Sequence, residues 1–129
     1  MAAPWARRGS KILVVDDDPV VQRVLNAEFR KHNWELLFAG DAIAAIAVAR
    51  REHPDLIVLD VGLPAGDAFV VLERLKSMPA LSGIPVIVIS GTDSAENRSR
   101  ALAGGAIAFF EKNADMTELV ATVIDALAS

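Results

Sequence analysis

The chain has 129 residues, 53% of them hydrophobic and 23% charged: enough apolar material for one folded domain, and too much for a disordered one. Its formal net charge of −4 gives no general attraction to phosphate backbones or anionic lipid, so direct nucleic-acid binding is not expected. The absence of cysteine excludes disulfides, thiolate metal sites and thiol catalysis, and no apolar run approaches the ~18 residues of a membrane span.

Residues 1–10, MAAPWARRGS, carry two arginines with no apolar stretch behind them. They read as a flexible arm and not as a signal peptide, which places the protein in the cytoplasm and the folded domain over 11–129. KILVVD (11–16) is the first strand. Asp18 and Pro19 then supply a helix N-cap and a proline at the first helical position. The helix that follows is expected to gather Val20, Val21, Val24, Leu25 and Phe29 on one side.

WELLFA (34–39) is the second strand, and Asp41 caps a helix whose apolar side is expected to hold Ile43, Ile46 and Ala47. DLIVLD (55–60) precedes a helix that starts at Asp67 and stops before Pro79. IPVIVIS (84–90) leads into a helix from Ser94 that closes on Gly104 and Gly105, a left-handed stop. AIAFFEK (106–112) is the last strand, and the last helix is expected to bury Leu119, Val120, Val123, Ile124 and Leu127. His32 and His53 stand far apart at helix ends and read as solvated residues, not metal ligands.

Strand and helix alternate five times, which forces parallel pairing with right-handed crossovers. The fold class is α/β: a doubly wound, three-layer (βα)5 sandwich around a parallel five-stranded sheet. Runs one, three and four are apolar throughout, as suits strands covered on both faces.

Sites in such sheets form at the carboxyl ends of the strands. Those ends carry Asp16 and Asp17, Asp60, Ser90 with Gly91, and Lys112. Clustered carboxylates suit a hard divalent cation such as Mg²⁺. A lysine, a hydroxyl and an unhindered glycine amide can meet the oxygens of a transferred phosphoryl group, with one carboxylate as nucleophile.

The segments ILVVDDDP, PDLIVLDVGLP, PVIVISG and FFEK, in this order and at strand ends, resemble the receiver domain of two-component response regulators over about residues 11–128. The resemblance implies a flavodoxin-like strand order 2-1-3-4-5. It implies that Asp60 is the phosphorylated residue, taking the group from the phosphohistidine of a histidine kinase or phosphotransfer protein. Mg²⁺ would be held by Asp17, Asp60 and the backbone carbonyl of Gly62, with Asp16 acting through water. Ser90 and Lys112 would meet the phosphoryl group, and the Gly91 amide would face its oxygens. Ser90 and Phe109 would form a switch read out on the face of the fourth helix, fifth strand and fifth helix. Such a domain regulates a downstream output partner or domain and is not itself a classical enzyme, although it assists its own phosphorylation and dephosphorylation. A homodimer formed on phosphorylation is a further expectation.

The sequence departs from the family pattern in places. Asn113, not proline, follows Lys112, so that loop is expected to turn differently. Gly62 stands where a larger side chain is frequent, which should open access to Asp60. Phe109 replaces a frequent tyrosine and, lacking a hydroxyl, should favour burial. Ala68 replaces a common glycine, a minor change. These departures motivate a second reading, a receiver-like interaction module that works without phosphorylation. An enzyme of flavodoxin-like or hydrolase type is disfavoured, because neither a P-loop nor a Ser/His/Asp set in its usual context is present.

Overall fold

A computed structural model describes residues 9–63, 67–92, 94–112 and 115–128. Its elements run β1 (Lys11–Val15), α1 (Pro19–Arg30), β2 (Glu35–Ala39), α2 (Ala42–Glu52), β3 (Leu56–Asp60), α3 (Asp67–Ser77), β4 (Val86–Ser90), α4 (Ala95–Ala103), β5 (Ala108–Glu111) and α5 (Met116–Ala128). All pairings are parallel, in the order β2-β1-β3-β4-β5.

The three continuously apolar runs are the three inner strands, and β3 and β4 are buried at every position. Within each, alternate residues serve opposite layers. Leu13, Val15, Ile57, Leu59, Val86 and Val88 pack with α2, α3 and the buried Ala101 of α4, whereas Ile12, Val14, Leu56, Val58, Ile87 and Ile89 pack with α1 and α5. The edge strands β2 and β5 are only partly covered.

Local signals set the helix ends. The Asp18 carboxylate accepts from the Val20 amide ahead of α1, and Asp41 does the same for Ala44 ahead of α2. After α4, the Gly105 and Ala106 amides donate to the carbonyls of Leu102 and Ala101, the paired bonds of a Schellman stop. The left-handed residue there is Gly105 (φ +105°), while Gly104 stays right-handed. A Cβ on Gly104 would lie 2.8 Å from a methyl of Leu72, so this corner needs glycine for contact with α3 as well as for conformation.

Three helix faces differ from the sequence expectation. In α1 the sheet-facing line is Val21, Leu25 and Phe29. Val20 and Val24 lie at 58% and 50% exposure over a groove of about 310 Å³ between α1 and α5, because each stands one residue, ~100° of helix, off that line. In α2 the buried face is Ala45, Ile46 and Ala49. Ile43 is 81% exposed and Ala47 is exposed, since small alanines let the opposite side of the helix approach the sheet. In α5, Leu119, Val123 and Leu127 are buried, Val120 is partly buried and Ile124 points outward.

Of the expected arm, residues 1–8 lie outside the described residues. Gly9 and Ser10, placed in it on sequence grounds, hydrogen-bond to Asn33 and Glu35 and so are tied to the start of β2. His53 is an exposed left-handed helix cap. His32 is half-buried against Trp34, with ring centroids 4.6 Å apart, so it is not a freely solvated residue.

Candidate functional site

The parallel sheet brings the expected strand-end residues to one edge. Asp16 follows β1 and is fully buried, its amide donating to Ala39 at the end of β2. Asp60 ends β3 at 1% exposure, and Ser90 ends β4 at 2%. Lys112 follows β5, anchored by its amide to the Ser90 carbonyl at 2.7 Å. The Lys112–Asn113 bond lies outside the described residues, but Lys112 itself is in place.

The Lys112 ammonium sits 3.0 Å from Asp16 Oδ2 and 3.0 Å from Asp60 Oδ2. Asp17, exposed at the rim, completes a trio whose carboxylate oxygens lie within 4.8 Å of one another. Three carboxylates against one ammonium leave two negative charges, which a divalent cation would balance. Burial pushes the Asp16 carboxyl above the ordinary aspartate value, with help from neighbouring Asp60. The Asp18 amide and Lys112 pull against it. Burial also opposes the charge on Lys112, but the two carboxylates together outweigh it and hold the ammonium above the usual lysine value.

Each carboxylate has further partners. Asp16 Oδ1 accepts from the Asp18 amide at 2.9 Å, whereas the buried Oδ2 is held by the Lys112 ammonium at 3.0 Å. Asp60 Oδ1 accepts from the Gly62 amide at 2.8 Å. A Cβ on Gly62 would stand 3.1 and 3.2 Å from the two Asp60 oxygens, so a larger residue here would crowd the carboxylate. The Ser90 hydroxyl accepts from the Thr92 amide at 3.2 Å, which leaves its own proton to donate. The Asp16, Asp17 and Asp60 carboxylates make an all-oxygen donor set, which fits a hard, oxygen-seeking divalent cation. Among the described residues, neither histidine belongs to such a cluster.

A family model described as the response regulator receiver domain matches residues 12–124. This chain belongs to that family. It is 38% identical over 109 residues to TcrX of Mycobacterium tuberculosis, covering 84% of this chain and 46% of TcrX, so it spans less than half the length of that relative. The BeF3-activated N-terminal receiver domain of Klebsiella pneumoniae RstA superposes with a TM-score of 0.82 at 28% identity, over 92% of this chain and 99% of that one. The response regulator Rcp1, solved in an Mn²⁺-bound form, superposes at 0.75 with 26% identity, over 88% of each chain.

The receiver domain is a signalling domain of two-component systems, and receivers of response regulators work with histidine kinases and output domains. Here its acidic pocket is the Asp16–Asp17–Asp60 trio. Among the described residues, no helix is long and apolar enough to cross a membrane. Phe109 is 4% exposed and packs in the layer with Val88 and Ala101. The Arg98 guanidinium lies over its ring, a contact that sequence reasoning missed. Gln22 was also missed: its side-chain amide donates to the Asp16 carbonyl at 2.8 Å.

Proposed function

We propose that this domain is the phospho-accepting receiver of a two-component or phosphorelay system, with Asp60 as acceptor and a histidine kinase or phosphotransfer protein as donor. The observation that carries the reading is the position of the Lys112 ammonium, 3.0 Å from the Asp60 carboxylate with Asp17 close by. An Asp60 oxygen attacks phosphorus, the phosphorus–nitrogen bond of the donor breaks, and the imidazole leaves with the electron pair. Lys112 and the Ser90 hydroxyl hold the phosphoryl oxygens, with the Gly91 amide as a third donor. Asp17, Asp60 and the Gly62 carbonyl would hold Mg²⁺ directly, and Asp16 would hold it through water. When bound, the ion neutralises charge on the transferring group.

On this reading the receiver domain covers 11–129, with Gly9 and Ser10 of the 1–10 segment tied to it, and acts in the cytoplasm. Its output surface is α4–β5–α5. There Leu102, Ile107 and Ile124 are each close to half exposed, α4 carries the exposed Arg98 and Arg100, and α5 carries the exposed Glu118 and Asp125. That mixture of apolar and oppositely charged patches suits an output partner or a second copy engaged after phosphorylation. A low-molecular-weight phosphoramidate with Mg²⁺ tests the chemistry. An acyl-phosphate resonance in the ³¹P NMR spectrum is expected from the wild type and not from Asp60→Asn; the same resonance from both would sink the assignment.

A further inference from the structure

We propose that Gln22 is a positioning residue for the cation site: it fixes the peptide joining Asp16 to Asp17 and so aims the Asp17 carboxylate. The inference rests on the reading of Asp17 as a metal ligand and adds a residue which that reading did not contain.

Asp16 is tied at three points. Its amide donates to Ala39, its Oδ1 accepts from the Asp18 amide, and its carbonyl accepts from Gln22 Nε2 at 2.8 Å. Asp17 is different. It is exposed, and no hydrogen bond to a described residue restrains its side chain. Two unit charges 4 Å apart repel by roughly 4 kcal/mol at the effective dielectric of a protein surface, and Lys112 is one ammonium against the two buried acids, so the Asp17 carboxylate is still pushed away from them before a divalent cation arrives. Its oxygen nevertheless lies within 4.8 Å of theirs, and with no side-chain restraint the direction of the Cα–Cβ bond, which depends on the backbone at 16–17, governs that approach.

Gln22 is well placed to hold that peptide. Its own amide donates to the Asp18 carbonyl in the first turn of α1, and that turn is itself capped by Asp18. The side chain then reaches back six residues, so α1 acts as a rigid bracket from which one amide group pins the Asp16 carbonyl. Without that donor the carbonyl loses the partner it has here, and the 16–17 peptide can turn. A preformed ligand geometry binds more tightly than one that must be ordered on binding.

Two variants test this. Gln22→Leu keeps the size and removes the donor. Gln22→Glu also removes the donor at neutral pH but adds a negative charge close to the site. Mn²⁺ affinity is read from the free-ion EPR signal, Mg²⁺ affinity by competition, and thermal stability without metal in parallel. A net hydrogen bond of this kind corresponds to roughly three- to tenfold in affinity, so both variants should bind about that much more weakly, with the Asp17 amide resonance displaced. Loss of affinity in Gln22→Glu is the telling result, because charge alone would tighten cation binding. Wild-type affinity in both variants, or tighter binding by Gln22→Glu, would overturn the role of Gln22, as would a change confined to thermal stability. A wild-type protein that binds neither ion would overturn the cation reading itself, and Gln22 with it.

Discussion

The guanidinium carbon of Arg98 lies 4.8 Å from the centre of the Phe109 ring, and Nη1 of the same side chain donates to the Phe109 carbonyl at 3.4 Å. This matters because α4 is a polar helix in which Ala101 alone is fully buried. Arg100 makes the matching contact on the other flank, 3.9 Å from the ring of Phe69 in α3. The helix is held down by two arginine–phenylalanine stacks and its glycine corner more than by an apolar stripe. Arg98→Ala should lose about 0.5–1 kcal/mol, the usual worth of an accessible cation–π contact. Hydrogen exchange would locate the loss: faster exchange in 95–103 and 108–111, with β1 and β3 unchanged. An even rise across the whole sheet would contradict this picture.

Asp16 makes the metal-free protein sensitive to pH. Its folded pKa is raised by burial and by Asp60, so the neutral acid suits the fold better than the anion. The associated stability is fully present below the ordinary aspartate pKa and is lost as pH rises through the elevated folded value. At pH 7.5, Asp16→Asn should therefore raise the melting temperature of the metal-free protein by a few degrees, equivalent to ~1 kcal/mol at this size. The gain should vanish near pH 3.5, where both side chains are uncharged. Saturating Mg²⁺ should stabilise the wild type more than the variant. Calorimetry at the two pH values, with and without the ion, measures all of these effects.

Gly62→Ala should slow labelling of Asp60. The added methyl would meet both carboxylate oxygens inside ordinary contact distance, so the carboxylate must turn and the Gly62 amide bond at 2.8 Å must lengthen. A displaced nucleophile costs rate more than stability. A three- to tenfold slower reaction with acetyl phosphate is expected, with a melting temperature within about 2 °C of wild type. Labelling as fast as wild type would show that the space above Asp60 is not limiting.

The three consecutive aspartates should separate by role. Asp18 spends its carboxylate on the Val20 amide, so Asp18→Ser, which can still cap, should keep Mg²⁺ affinity within about twofold. Asp17→Asn should weaken it by an order of magnitude or more. Equal losses in an isothermal titration would refute this division.

The elements most legible in the sequence are those whose physics is one-dimensional. Continuous apolar runs mark β1, β3 and β4 because both faces of those strands are covered, and a parallel sheet then delivers Asp16, Asp60, Ser90 and Lys112 to one edge whatever the loops do. Strand order came from family likeness, since alternation alone does not choose among the doubly wound arrangements. Helix faces are less legible. In α2 the alanines carry little directional signal, so Ile43 and Ala47 look like the inner face and lie outside. Gln22 and Arg98 could not be read at all, because their contacts six and eleven residues away depend on how each helix docks against the sheet.

The claim that Asp60 is the acceptor is met most directly by intact-mass spectrometry after incubation with acetyl phosphate and Mg²⁺. The account predicts one added phosphoryl group on the wild type, strongly reduced by Lys112→Ala, dependent on the cation and absent from Asp60→Asn. A phosphoryl adduct that persists in Asp60→Asn, or a wild-type protein that stays unmodified with donor and Mg²⁺ in excess, would contradict it.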